Sequence, residues 1–308
     1  MLEETAFINK NNQKADLPDD TLYIVYSIGN SGYQEWQADL LDFSFCRSNQ
    51  PGTLIRLISD DSPQPRKIHP SQFGFTLVTP DFSQIEGSKT WKVMNKPGSI
   101  EFFVNSLSDQ FKFSNRNSTV LLLDPDMIFT HSYDPRTKFD RGEIYGQNWK
   151  GYGRHFCVET SIYPQLCPRL GRPECGPVMF PFAVKLSDLC SISATVCRFA
   201  RLGYLKCNNW MADMSAFVTA MVFHGLKMRQ IDNLGLCNDW DNRDNAKAPI
   251  LHYCQPMYDK HANLIWDKRR YQMDYMHGEG WAPVPSADLA CNRVDRDVLT
   301  LLKLKVEL

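Results

Sequence analysis

Short apolar runs rich in β-branched residues alternate along the chain with stretches whose apolar residues recur every three or four positions. Thr21–Ile28 (TLYIVYSI) is such a run and opens into Gly29-Asn30-Ser31-Gly32, which predicts a buried strand followed by a loop. Tyr33, Trp36, Leu40, Leu41 and Phe45 then fall near helical spacing. Thr53–Ser59 predicts a second strand, closed by Asp60-Asp61, and Phe75–Thr79 a third. Strand, helix, strand is how a parallel α/β sheet begins, so the expected fold class is α/β, with a mostly parallel central sheet flanked by helices.

Gly98–Phe113 gives the clearest helix: Ile100, Phe103, Val104, Leu107 and Phe111 make one stripe, with Pro97 near the first turn. Val120–Leu123 is fully apolar and ends at Asp124-Pro125-Asp126, after which Met127-Ile128-Phe129 resumes the apolar pattern. Ser187–Leu202 predicts a helix with Ser187 as its N-cap. Asn208–Gly225 predicts another, striped by Trp210, Met214, Phe217, Val218 and Met221. Pro249–Tyr253 (PILHY) reads as a strand, and a last helix is expected near Asp295–Lys303. Residues 1–20 are polar and aperiodic and are read as a loose arm before one domain spanning 21–308. Residues 131–175 show little periodicity and are read as an irregular insertion on the acceptor side; long irregular segments in compact domains often carry function.

Composition narrows the function classes. Of 308 residues, 43% are hydrophobic and 22% charged, as in ordinary globular proteins, so a sizeable core can form. The net charge of −1 lacks the basic excess of nucleic-acid binders. No run approaches the roughly 18 apolar residues that span a bilayer, and Met1-Leu2-Glu3-Glu4-Thr5 does not begin a signal peptide. The expectation is therefore a cytoplasmic protein, or a Golgi or secretory one whose anchor lies outside this sequence. Ten cysteines occur without a C-x-x-C pair, which argues against a zinc ribbon. Free thiols are expected in a cytosolic protein; in a luminal one Cys157, Cys167 and Cys175 could be bridged.

The chemistry concentrates at Asp124-Pro125-Asp126. In parallel α/β sheets, ligands bind outside the carboxyl ends of the strands. Two carboxylates one residue apart, where a buried strand emerges, can share one divalent cation such as Mn or Mg. Such a cation offsets charge developing on a leaving diphosphate. His252, inside its own apolar run, is a third ligand candidate; its alternative is a buried structural histidine. Lys268, in Trp266-Asp267-Lys268, suits a phosphate as a point charge. Asp213 lies at the rim of an apolar helical stripe, where carboxyl pKa values tend to be perturbed.

Seven segments in order resemble the plant hydroxyproline O-arabinosyltransferases and their serine galactosyltransferase-like relatives: Tyr33-Gln34-Glu35-Trp36-Gln37, Asn95-Lys96-Pro97, LLLDPDMIF from Leu121, Gly176-Pro177-Val178, Trp210-Met211-Ala212-Asp213-Met214, Leu251-His252-Tyr253 and WDKRRY from Trp266. The resemblance runs from about Tyr23 to Tyr271. It implies a GT-A nucleotide-sugar fold, a UDP-sugar donor, a manganese-type cation and retention of anomeric configuration, with arabinose as the suggested sugar. Asp124 and Asp126 match the family's D-x-D and His252 its late histidine. Asp213 matches an acidic position where glutamate is commoner, and Asn95-Lys96 matches an Asn-Arg donor contact.

On this reading Asp124, Asp126 and His252 hold the cation, Lys268 holds the diphosphate, and Ser27, in the loop after the first strand, contacts the uridine or sugar with Asn95. Asp213 orients the sugar or the acceptor hydroxyl. Two acceptors fit the resemblance, a hydroxyproline peptide and a hydroxymethylated base of bacteriophage DNA. The rival classes are a non-catalytic nucleotide-sugar or glycan-binding protein and a hydrolase with paired carboxylates.

Overall fold

The computed structural model describes residues 7–11, 13–15, 21–60, 69–85, 90–111, 117–148, 178–208, 211–237, 248–270, 284–290 and 293–307. The first strands are β1 (Phe7–Ile8), β2 (Lys14–Ala15) and β3 (Leu22–Gly29), followed by α1 (Gly32–Arg47), β4 (Thr53–Ser59) and β5 (Phe75–Thr79). Next come α2 (Asn95–Phe111), β6 (Thr119–Leu123), β7 (Met127–Phe129), β8 (Glu143–Asn148) and β9 (Val178–Lys185). Then follow α3 (Leu186–Cys207), α4 (Ala212–Phe223), β10 (Lys227–Ile231), β11 (Gly235–Cys237), β12 (Ile250–His252), β13 (Met257–Tyr258), β14 (Leu264–Trp266) and α5 (Arg293–Val306).

Among the described residues the main sheet has nine strands in the order β10-β8-β9-β6-β3-β4-β5-β1-β2. Its heart, β6-β3-β4-β5, is parallel, and antiparallel pairings lie toward both edges. β3 and β4 are buried nearly throughout, which accounts for their continuous apolar runs. From β3 the chain passes through α1 to β4 on one side, and from β5 through α2 to β6 on the other. The strand order therefore reverses between β3 and β6. The carboxyl ends facing that crevice are Gly29 and Leu123.

α1 separates two apolar cores. Ala38 and Leu41 face the main core, while Trp36, Leu40 and Phe43 face a second one. The second core joins α1 to α5 and to a small sheet, β11-β12-β7, through Ile128, Leu251, Tyr253, Trp266, Val298 and Leu302. α4 is buried all round, with Phe217 wedged against Phe180 (5.3 Å between ring centres) and Phe182 (5.5 Å) of β9.

Several expectations change. Residues 7–8 and 14–15 of the expected loose arm are strands, because Phe7 finds a fully buried place against Phe103 and β1 covers the free edge of β5. Within the expected insertion, Glu143–Asn148 is a strand between β9 and β10. Residues 149–177, with Cys157, Cys167 and Cys175, lie outside the described residues. Ser187 sits inside the first turn of α3 rather than capping it. α2 begins at Asn95, before the proline, and α4 at Ala212; Trp210 lies outside the described residues. Among the described residues Cys46 and Cys197 are free, but Cys254 is disulfide-bonded, so the free-thiol expectation fails there. No described helix is long and apolar enough to cross a membrane.

A buried polar network ties α1 to the sheet. Arg56 of β4 is inaccessible and donates to Asp42 (2.7 Å), Asp39 (2.8 Å), the Tyr26 hydroxyl (2.8 Å) and the His69 carbonyl (3.2 Å). Tyr26 and Ser71 both donate to Asp42. Removing the one cation leaves Asp42 buried without its charge partner. Arg56→Met is expected to lower stability by about 3–5 kcal/mol in urea unfolding, whereas the rim partner in Asp39→Asn is expected to cost about 1 kcal/mol or less. Equal losses would refute this ranking.

Candidate metal and donor site

β6 carries Asp124 out of the sheet at its carboxyl end. Asp124-Pro125-Asp126 then turns the chain, and β7 leaves into the small sheet. The turn is short because Pro125 sits in it and the Met127 N–H donates back to the Asp124 carbonyl (3.2 Å). β12 pairs antiparallel with β7, His252 opposite Met127, and the Tyr253 N–H donates to the Asp126 carbonyl (3.1 Å). That register sets His252 beside Asp126, with Nε2 3.1 Å from Oδ1.

One ligand atom each from Asp124, Asp126 and His252 lies within 4.8 Å of the others, and all three residues are buried. His252 Nδ1 has no hydrogen-bond partner among the described residues. Two hard carboxylate oxygens and one borderline imidazole fit a divalent ion of the Mn or Mg type.

Two lysines occupy the same carboxylates. Lys268, two residues beyond β14, is paired with Asp126. Lys96, in the first turn of α2, lies 2.8 Å from Asp124 Oδ1 and 2.8 Å from Asp213 Oδ2. Its ammonium also sits 4.6 Å above the centre of the Phe180 ring. Gly98 makes this approach of α2 possible, since a Cβ there would fall 2.3 Å from Cγ of Phe82. The aromatic trio Trp36, Tyr253 and Trp266 (centroids 5.8–6.1 Å apart) braces the other wall, just beside His252 and Lys268.

The environment sorts the acids. Burial would raise the Asp126 carboxyl, but His252 and Lys268 prevail and hold it well below the usual carboxylate range. Burial raises Asp213 above that range, although Lys96 pulls the other way. Burial would lower both ammoniums, yet Asp126 holds Lys268 up, and Asp124 with Asp213 hold Lys96 up.

Asp124, Asp126, His252, Lys268, Asp213 and Lys96 thus converge. Ser27 does not lie in the loop after the first strand; it is inside β3, buried, opposite Leu57. Asn95 starts α2 and its Oδ1 accepts from the Phe82 N–H (2.7 Å), which commits that oxygen to the fold. Tyr33, near the start of α1, belongs to the site although sequence reasoning gave it no role: its hydroxyl feels the charges of Lys268 and Asp126, and burial, first of all, raises its pKa. Phe180 was also missed, since nothing local marks a strand phenylalanine as the seat of an ammonium. A separate cavity of about 390 Å³ lies at the far end of β7, lined by Phe129, Thr130, Ala248 and Leu304, away from these carboxylates.

No protein-family profile matches the chain. The sequence is 21% identical over 275 residues to the peptidyl serine α-galactosyltransferase of Arabidopsis thaliana. That match covers 81% of this chain and 33% of the plant protein, so the chain spans about a third of its relative's length. Mouse xyloside xylosyltransferase 1, in its apo form, aligns with a TM-score of 0.44 and 13% identity over 76% of this chain and 98% of that one.

The opposite shifts of the two acids fix opposite pH dependences. Asp126, with a lowered native pKa, contributes stability that is present above the unfolded value near about pH 4 and is lost as pH falls through the native one. Asp213, with a raised native pKa, contributes stability that is full below about pH 4 and is lost as pH rises through its native value. Asp213→Asn should therefore melt no lower than the parent at pH 7, and Asp126→Asn should melt lower there, with its deficit closing toward acid pH. Melting curves across that range decide it, and a marked drop for Asp213→Asn at pH 7 would contradict the assignment. In sequence the chain is related to glycosyltransferases through its weak similarity, at 21% identity, to the plant peptidyl serine α-galactosyltransferase.

Proposed function

We propose that this chain is a divalent-cation-dependent glycosyltransferase of the GT-A type that moves a sugar from a UDP-sugar to a hydroxyl acceptor. The observation that carries the reading is the buried Asp124–Asp126–His252 cluster at the crevice where the strand order reverses. Mn or Mg bound there would offset the charge that develops on the leaving diphosphate. Asp124, Asp126 and His252 are its ligands in this proposal.

The chain's other residues divide the remaining tasks. Lys268 is within reach of the same space and pairs with the diphosphate as a point charge. The amino end of α1, at Gly32-Tyr33, opens onto the crevice, where helix N–H groups favour anions. Asp213 orients the sugar or the acceptor hydroxyl, and the Ser27 and Asn95 region forms the uridine side. A retaining front-face path is carried by the family resemblance alone.

For the sugar, a pentose such as arabinose and a hexose such as galactose are both in the proposal; the resemblance supports the first and the plant relative the second. For the acceptor, we favour a peptide hydroxyl, on hydroxyproline or serine, over a hydroxymethylated DNA base. Two observations support that order. The disulfide at Cys254 suits an oxidising lumen better than the cytoplasm. The net charge of −1 offers little to a phosphate backbone.

Calorimetric titration with UDP tests the core of the reading. Binding is expected with manganese and not with chelator, and Asp126→Ala should weaken it by at least about tenfold, or 1.4 kcal/mol. UDP that binds equally well with chelator would remove the cation from the proposal; UDP that never binds would remove the donor. A labelled donor panel offered to hydroxyproline peptide, serine peptide and hydroxymethylated DNA then ranks the acceptors. Full turnover by Asp213→Asn would remove Asp213 from the site.

A further inference from the structure

The four charged side chains at the ligand carboxylates are balanced. Asp124 and Asp126 are each buried, and Lys96 and Lys268 are paired with them, so the set holds no net charge. His252 adds none when neutral, as a metal ligand must be. A divalent ion entering alone would leave two net positive charges in a buried place. It would also compete with Lys268 for Asp126 and with Lys96 for Asp124, because each lysine already lies on a ligand carboxylate. A divalent ion entering with a diphosphate ester of two negative charges restores the original balance. The diphosphate also offers a displaced ammonium a new anionic partner.

We propose that Lys268 and Lys96 act as a gate that admits the cation only together with a nucleotide diphosphate. Lys268 is the mobile half. It comes from the short segment after β14 and pairs with Asp126. Lys96 is the fixed half: it stands in the first turn of α2, is shared by Asp124 and Asp213, and lies against the Phe180 ring. In the resting site Lys268 neutralises Asp126 and keeps it from holding a bare ion. When the diphosphate arrives, Lys268 turns from the carboxylate to a phosphate oxygen and leaves Asp126 to the cation. No bond is made or broken in this exchange of ion pairs.

The inference rests on the transferase reading, but its failure can be told apart. Manganese is titrated into the protein by electron paramagnetic resonance of the free ion, with and without UDP, so no turnover is needed. In the parent protein UDP should tighten manganese binding by at least about tenfold, and by linkage manganese should tighten UDP by the same factor. Lys268→Met should bind manganese alone at least about fivefold more tightly than the parent, with a smaller gain from UDP. Lys268→Arg keeps the charge and should keep the coupling. Lys268→Gln replaces the methionine variant if melting curves show that it does not fold.

A folded Lys268→Met or Lys268→Gln protein that binds manganese alone no more tightly than the parent would overturn the gate. A parent protein that binds manganese equally well with and without UDP would overturn the gate and, by linkage, the cation dependence of the proposed transferase as well, whereas the Lys268 variants test the gate alone. A parent protein that binds UDP under no condition removes the reading and the gate together.

Discussion

Burying three carboxylates around one cleft is the constraint on which the rest of the molecule depends. A lone carboxylate in so dry a place would neutralise itself or unfold its surroundings. Here each acid has a cationic or imidazole partner brought from a distant part of the chain: Lys96 from α2, Lys268 from beyond β14 and His252 from β12. The three acids nevertheless do not behave alike. Asp126 is kept ionised by its neighbours, while Asp213 is pushed toward its protonated form by burial. A site that must host a cation, an anion and a neutral hydroxyl needs such unlike neighbours.

The scaffold delivers those partners through two cores rather than one. The parallel heart of the main sheet fixes Asp124, and through α2 it fixes Lys96. The smaller core of α1, α5 and the β11-β12-β7 sheet fixes His252 and Lys268. α1 is common to both, which explains why its apolar residues do not form one clean stripe: nearly every face of it is buried against something. The Arg56–Asp42–Tyr26 network locks that helix to β3 and β4, and thereby fixes the angle at which the two halves meet.

Much of this was legible in the residues. β4 and β5 fall where the apolar runs put them, and β3, α1 and β6 lie within a residue or so of expectation, because buried parallel strands are written as unbroken apolar runs. The convergence of Asp124, Asp126 and His252 was also readable, since each stands at the end of such a run. β1, β2 and β8 were not. β1 and β2 are two residues long, and Glu143–Asn148 (EIYGQN) has only Ile144 and Tyr145 as apolar residues, side by side rather than in a run, near the sheet's edge. Local pattern carries no trace of a partner as distant in the chain as Leu77 is from Phe7. The place of Lys96 between two acids was not legible for a related reason: Asp124 and Asp213, to which it is the counter-ion, lie far from it in the chain.

The pairing of β12 with β7 has a consequence for how the protein comes into being. Asp126 and Lys268 are 142 residues apart in the chain, and no local contact can stand in for their meeting. Most of the parallel sheet is available once β6 has been made, long before His252 and Lys268 leave the ribosome. The cleft is therefore among the last parts of the molecule to be completed, at the high loop-closure cost of any contact between distant segments. Until then a nascent chain carries the D-x-D turn with neither its imidazole nor its outer lysine, so binding competence arrives in one late step rather than growing with length.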